Sequence, residues 1–259
     1  VVLILDNADR LTRRPVLDVL DLLVRHVGAQ LRLVLCARSD PKLPLHQYRL
    51  ADRLTEIRAD QLSFTAAETR ALLTGLGTPL TAEAAAAVHA ATEGWVVALR
   101  LGADLLRRGV PPENLATSLA TADGGVAAYL RAEVLQPLPP HMRRLLLRIS
   151  VTEHLESGLA ERLTGRPDVR RMLVELAAGN AFVEHRPAAP GGFRIHPLFR
   201  EMLQAQLAYD HPGEVAGLHR ICAAWYAEAG RSPEAVGHAI AAEDWGFATR
   251  VLVDDLLVM

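Results

Sequence analysis

Val1-Val2-Leu3-Ile4-Leu5-Asp6-Asn7 decides how the start of this 259-residue chain is read. Five apolar residues, three of them β-branched, run without a break and stop at two polar ones. A run bounded in this way reads as a parallel strand buried on both faces. From Arg14 to His26 the residues Val16, Leu17, Leu20, Leu22 and Leu23 form a helical stripe. Val27 extends the stripe and Gly28 offers a stop. Leu31 to Ala37 (LRLVLCA) reads as a second strand. Strand, helix and strand within about 37 residues make a βαβ unit with parallel strands. Leu54-Thr55-Glu56-Ile57-Arg58 reads as a further short strand.

Composition narrows the class. Half of the residues are apolar but only 5% are aromatic, so packing rests on Leu, Ala and Val, a helical composition. The net charge of −2 gives no whole-chain attraction to nucleic acid or to an anionic membrane. Lys42 is the one lysine among 28 cationic residues, and it sits between Pro41 and Leu43. A phosphate-binding loop of the Walker A kind needs a lysine straight after a glycine, so no intact loop of that kind lies in this sequence. Cys36 and Cys222 read as buried small apolar residues of a reducing compartment. No apolar run reaches 18 residues, so no membrane span is expected, and the chain reads as cytoplasmic. Val1 already lies inside a strand-like run with no Met before it, which reads as a segment of a longer protein.

Past residue 61 the pattern turns helical. Thr65 with Glu68 three residues on is a capping box. Helices are expected over roughly 66–75, 81–91 and 94–108, with Pro111-Pro112 as punctuation and Asp123-Gly124-Gly125 as a linker. Four more helical stretches follow, at about 126–136, 140–150, 157–164 and 168–178, the last ended by Gly179-Asn180. Ala181–His185 and Phe193–His196 alternate as short strands around a turn-rich wing, Pro187 to Gly192, before a helix over Pro197–Leu207. Helices followed by such a hairpin are a winged-helix arrangement. Helices at about 214–229, 233–241 and 244–257 mix small and large residues as stacked hairpins do.

Few residues here point to chemistry. In an open parallel sheet, ligands bind beyond the carboxyl ends of the strands. Asp6 and Arg38 end the two strand-like runs and reach the same edge. A carboxylate there holds hydrated Mg²⁺, and a guanidinium pairs with a terminal phosphate. Capping of the strands, or a mutual ion pair, is the plainer reading. His196 stands alone, with no C-x-x-C, H-E-x-x-H or close His pair to suggest a metal. No G-x-S-x-G supports a hydrolase triad. Trp95 serves either as core or as a stacking face. Arg162, Arg166, Arg170 and Arg171 are interleaved with Glu161, Asp168 and Glu175, a solvated mixed-charge surface rather than a DNA-binding face.

Six runs, taken in order, resemble one family across nearly the whole chain. They are VVLILDNADRL, LVLCARSDPKLPL, LTEIRADQLSFTAAETRALL, ATEGWVVALRLGADLL, FRIHPLFREML and LHRICAAWYAEAGRSPEAVGHAIAAEDWGFATRVL. They are similar to the signal-transducing (STAND-class) NTPase region of the large LuxR-type, maltose-regulon-activator-like transcriptional regulators. The resemblance implies a mainly α fold with a partial α/β start. Residues 1–61 would be the C-terminal part of a P-loop NTPase domain, with Walker B and sensor strands, its parallel sheet incomplete because the Walker A strand and loop would precede Val1. Residues 62–124 would be a helical domain and 125–208 a winged-helix domain. Residues 209–259 would begin a tetratricopeptide-like helical superhelix that serves as sensor.

The resemblance also assigns roles. Asp6 would be the Walker B carboxylate, holding Mg²⁺ through water, and Arg38 would sense the γ-phosphate. Gly94, Trp95 and Val96 would border the adenine, although relatives often carry proline where Val96 stands. His196 would touch the ADP β-phosphate and hold the closed state. Asn7 falls where many relatives have a second acidic residue that orients water. An amide is a poor base, so hydrolysis is expected to be slow or absent. ATP or ADP with Mg²⁺ would bind the full-length protein and not this segment. Its nucleotide state would control self-association, and DNA binding by a helix-turn-helix beyond Met259, while an inducer or regulatory protein acts at the helical repeats. Two other readings remain at this stage: a protein-interaction module with a vestigial nucleotide site, and an ATP-hydrolysing enzyme.

Overall fold

The computed structural model describes residues 1–26, 31–120, 125–179, 182–186 and 192–258. The stop at Gly28, the Asp123-Gly124 part of the linker, Asn180, Ala181 and residues 187–191 of the wing lie outside the described residues. The fold is mainly helical, and it divides into two compact units. One is Val1–Leu62 with Glu175–Ala181; the other is Ser63–Val174 with Phe182–Met259.

In the first unit, β1 (Val2–Leu5) and β2 (Arg32–Leu35) pair in parallel around α1 (Arg14–His26), with Val2 opposite Arg32 and Leu5 opposite Leu35. The βαβ unit is therefore present. The burial expected for it is not. Val2 is 59% and Ile4 63% exposed, because no element among the described residues packs over this face of the strand pair. Helix α1 buries Leu17 and Leu20 from its stripe. Its surface carries an Asp21–Arg25 pair at 2.8 Å, and Arg53 Nη1 donates to the terminal Arg25 carbonyl at 2.6 Å. Two short helices follow, α2 (Leu45–Leu50) and α3 (Ala59–Leu62). Tyr48 of α2 is buried, and its hydroxyl donates to Asp21 Oδ1 at 2.7 Å. Leu54–Arg58 is not a strand. No strand edge pairs with it, and side chains hold it instead. Arg49 grips Glu56 through two hydrogen bonds of 2.9 and 2.7 Å, and Arg58 reaches Glu56 and Asp40. Cys36 is exposed rather than buried, since it follows the last residue of β2; Cys222 is buried as expected.

The second unit opens with α4 (Ala66–Gly75), α5 (Ala82–Thr92) and α6 (Val96–Arg107). Thr65 and Glu68 form the capping box in both directions, and the Thr81 hydroxyl accepts from Ala84 N–H at 3.2 Å. A 3₁₀ turn at Pro112–Asn114 leads into α7 (Leu115–Ala120), which the sequence reading missed. Next come α8 (Gly125–Leu130), continued by a π-helical turn at Arg131–Leu135, and α9 (Pro140–Ile149). The winged-helix region adds β3 (His154–Leu155), α10 (Ser157–Thr164), α11 (Val169–Ala178, counted with the first unit from Glu175 on), β4 (Val183–Arg186), β5 (Gly192–Ile195) and α12 (Pro197–Asp210). Its antiparallel sheet runs β3-β5-β4, so the hairpin has a third, two-residue strand. The chain continues through α13 (Pro212–Glu228), α14 (Ser232–Ala241) and α15 (Trp245–Val258). Leu73, Leu99, Leu119, Leu146, Leu163 and Phe199 are wholly buried in this unit.

Candidate functional site

Asp6 and Arg38 follow the carboxyl ends of β1 and β2. The backbone ladder runs past both strands: Cys36 N–H donates to Leu5 O and Ala8 N–H to Cys36 O, each at 2.9 Å. The two segments that carry Asp6 and Arg38 are thereby held side by side. Asp6 is exposed, and its Oδ1 accepts the Asn7 N–H at 2.8 Å. The Arg38 N–H donates to Asp9 Oδ1 at 3.2 Å. Asn7 has φ 54° and ψ 41°, the left-handed region in which asparagine is several-fold enriched. Its identity thus has a conformational reason that the sequence reading did not see. Among the described residues no group of three or more His, Cys, Asp and Glu side chains is placed to hold a metal. A single exposed carboxylate still suits a cation that keeps most of its waters.

The second unit brings Gly94, Trp95 and His196 together. Gly94 ends the turn after α5 at φ +73°, preceded by Glu93 at φ 49°. Phe64 N–H donates to Gly94 O at 3.0 Å, and a Cβ on Gly94 would stand 2.1 Å from Phe64 O. Only glycine fits so close an approach. Trp95 is the N-cap of α6, with no side-chain cap bond. Its ring lies 4.9 Å from Phe182, 5.7 Å from Tyr129 and 6.2 Å from His196, all tilted or edge-on. Val96, next in the chain, is 40% exposed.

His196 links β5 to α12. Its N–H donates to Phe182 O at 2.9 Å, and Phe182 is itself left-handed at φ 56°, a strained conformation for an aromatic residue. The imidazole is nearly buried, edge-on to Phe182 at 5.5 Å, with Nε2 3.7 Å from Glu93 Oε2. Burial pushes its pKa down, while Glu93 and the Thr92 carbonyl pull the other way. Arg194, two residues earlier, pairs with the same Glu93 at 2.5 Å and approaches Glu153 at 3.9 Å.

Glu93, Tyr129, Phe182 and Arg194 were not picked out from sequence. Glu93 shares the turn with Gly94, and that glycine was the available signal. Phe182 and Tyr129 meet Trp95 across 87 and 34 residues, which no local pattern reveals. A cleft of about 480 Å³ in the first unit is lined by Arg14, Asp21, Arg25 and Lys42 among others. Another of about 280 Å³ in the second unit is lined by Glu156, Arg170, His185 and Phe193 among others. Neither includes Asp6, Arg38, Gly94, Trp95, Val96 or His196.

The chain resembles known proteins in sequence. The family model of the MalT winged helix domain matches residues 131–215, the region from the π turn through the start of α13. Over 256 residues the chain is 34% identical to the serine/threonine-protein kinase PknK of Mycobacterium tuberculosis, covering 98% of this chain and 23% of the kinase. Over 254 residues it is 29% identical to the HTH-type transcriptional regulator MalT of Serratia proteamaculans, covering 97% of this chain and 28% of the regulator. The regulator MalT of Yersinia pestis is also 29% identical, over 257 residues. The chain spans about a quarter of the length of these curated relatives. It is similar to MalT regulators and to PknK, and its residues 131–215 resemble the MalT winged helix domain.

Proposed function

We propose that this chain is the nucleotide-responsive switch region of a MalT-like, LuxR-type STAND regulator. One observation carries the reading. The near-buried His196 of the winged helix domain is held against the Glu93-Gly94-Trp95 turn of the preceding helices. A histidine so placed ties the winged helix to the segment that, by resemblance, borders the adenine. Two further features support the reading. Asp6 and Arg38 stand at the carboxyl edge of a parallel strand pair, where such sheets receive ligands. The relatives also differ in their named activities, a protein kinase and a transcriptional regulator, yet share this whole stretch. A stretch common to a kinase and a regulator supports a control element rather than either output.

In this reading Asp6 positions hydrated Mg²⁺ and Arg38 meets the terminal phosphate. Gly94 and Trp95 border the base, and His196 donates to the β-phosphate. ADP favours the locked winged helix; ATP favours release, self-association and DNA binding by a domain outside this chain, a rearrangement biased by a γ-phosphate. An inducer or regulatory protein acts on α13–α15, the start of the helical superhelix. Asn7 supplies no base, so turnover is slow or absent.

Isothermal titration of ADP and Mg²⁺ into the protein expressed from its whole gene tests the reading. His196→Ala is expected to weaken ADP binding at least about tenfold, a loss of ~1.4 kcal/mol. Wild-type protein that binds no ADP, or a variant that binds it equally well, overturns the switch. The exposed left-handed asparagine at position 7 favours a second reading, an interaction module with a vestigial site. That reading predicts partner binding indifferent to nucleotide.

A further inference from the structure

Helices α13 and α14 bring two histidines into direct contact. His219 Nδ1 lies 2.9 Å from His238 Nδ1, with ring centroids 5.1 Å apart. One ring must donate and the other accept, so this contact requires at least one unprotonated nitrogen between the rings. Two imidazolium rings at this distance would present proton to proton and charge to charge.

His238 also stacks on Tyr226 of α13, centroids 5.4 Å apart and planes 16° from parallel. Tyr226 is buried and reaches out of the hairpin. Its hydroxyl shares a hydrogen bond of 2.8 Å with Thr152 Oγ1 and donates to the His154 carbonyl at 3.3 Å. Thr152 and His154 belong to the winged-helix region, at and just before β3. The Arg231 guanidinium lies 4.6 Å from the centre of the same tyrosine ring, and Arg231 approaches Glu156 at 3.5 Å. Tyr226 is thus a bridge from the histidine pair to the sheet of the winged helix.

We propose that His219 and His238 form a protonation-sensitive joint, closed while one proton lies between the two Nδ1 atoms and opened when acid charges both rings, with Tyr226 transmitting its state to Thr152 and β3. Burial lowers the pKa of both rings, and His238 is pushed down to about 4, with the neighbouring His219 and Arg200 of α12 adding to the shift. Glu234 of α14 opposes it, and Tyr226 and the buried Cys222 of α13 are the nearby uncharged titratable groups. A depressed histidine means that the folded form prefers the neutral ring. The joint is therefore complete above the ordinary value of 6.5 and weakens as pH falls from there toward about 4. The pair titrates as a unit, not as two independent rings.

Amide exchange of this chain, corrected for intrinsic rates, is measured between pH 6.5 and 4.5. Protection over 212–241 is expected to fall on the order of tenfold. In His238→Gln and in His219→Gln the fall shrinks to about twofold or less. Tyr226→Phe keeps the response over 212–241 and abolishes it over 150–155. A flat wild-type profile, or a wild-type slope in the glutamine variants, overturns the joint. An unchanged response over 150–155 in Tyr226→Phe overturns the transmission. Imidazole NMR of the wild type needs no variant: two rings with independent, ordinary midpoints near the unperturbed ~6.5 would also overturn it.

Discussion

The two units of this chain are held together by different forces. The second buries its apolar residues wholesale: Leu73, Leu99, Leu146 and Phe199 have no exposed surface. The first leaves Val2, Ile4, Val16, Val19 and Leu22 between 41% and 63% exposed, and among its described residues it buries Ala8, Leu17, Leu20, Tyr48 and Leu176. In their place it has a parallel backbone ladder and arginine–carboxylate contacts: Asp21–Arg25, Arg49–Glu56, and Arg58 with Glu56 and Asp40. Exposed ion pairs contribute little each, whereas buried apolar area contributes about 25 cal/mol per Å². Stability should therefore be concentrated in the helical and winged-helix unit, and substitution should reveal the asymmetry.

The largest effect is expected at Phe199, wholly buried on α12 and 5.8 Å from Phe182. Phe199→Ala should cost about 3–5 kcal/mol, transfer and cavity terms together. Amide exchange would show the loss over 63–174 and 192–241, with the amides of β1 and β2 as internal comparison. An equal rise in both units would break the contrast drawn above.

Gly94→Ala comes next. The left-handed backbone and the approach to Phe64 both resist a Cβ, and a cost of about 2–3 kcal/mol is expected. Thermal melts measure it. Trp95 fluorescence would report whether the ring cluster with Phe182 and His196 has come apart. A variant as stable as wild type would mean that the turn relaxes freely and holds His196 only loosely.

Legibility in the sequence divides along the same line. Helices with capping residues were read almost to the residue: Thr65 fixes the start of α4, and Gly165, at φ 68°, fixes the end of α10. The expected helix over 94–108 started on Gly94, whereas the structure leaves that glycine in the turn before α6, where no other residue fits. The failures came where only distant neighbours decide. Leu54–Arg58 has β-branched residues but no ladder partner, so arginines claim it. Helix α2 has one buried side chain and no stripe, and β3 is two residues long. The burial expected of β1 failed because apolar composition predicts preference, not the presence of a covering layer. At the site, Glu93 and Phe182 act through left-handed backbone and ring packing, neither of which is a residue pattern.

The smallest effect separates the units by pH. The hydrogen bonds from Arg49, aided by Arg58, hold the Glu56 carboxyl at about 2. Its folded value lies below its ordinary 4.5, so the unfolded chain binds the proton more readily between the two. The contribution is present above 4.5 and disappears as pH falls toward about 2; because the pair is exposed, it also shrinks with salt. The histidine pair of the second unit acts in the opposite sense of charge and in a higher window, from 6.5 down to about 4. On acidification, exchange should rise first over 212–241 and only at lower pH over 45–58. Glu56→Gln should flatten the second rise and leave the first alone. If both rises move together, charge pairing does not distinguish the first unit, and its ladder and few buried residues must hold it.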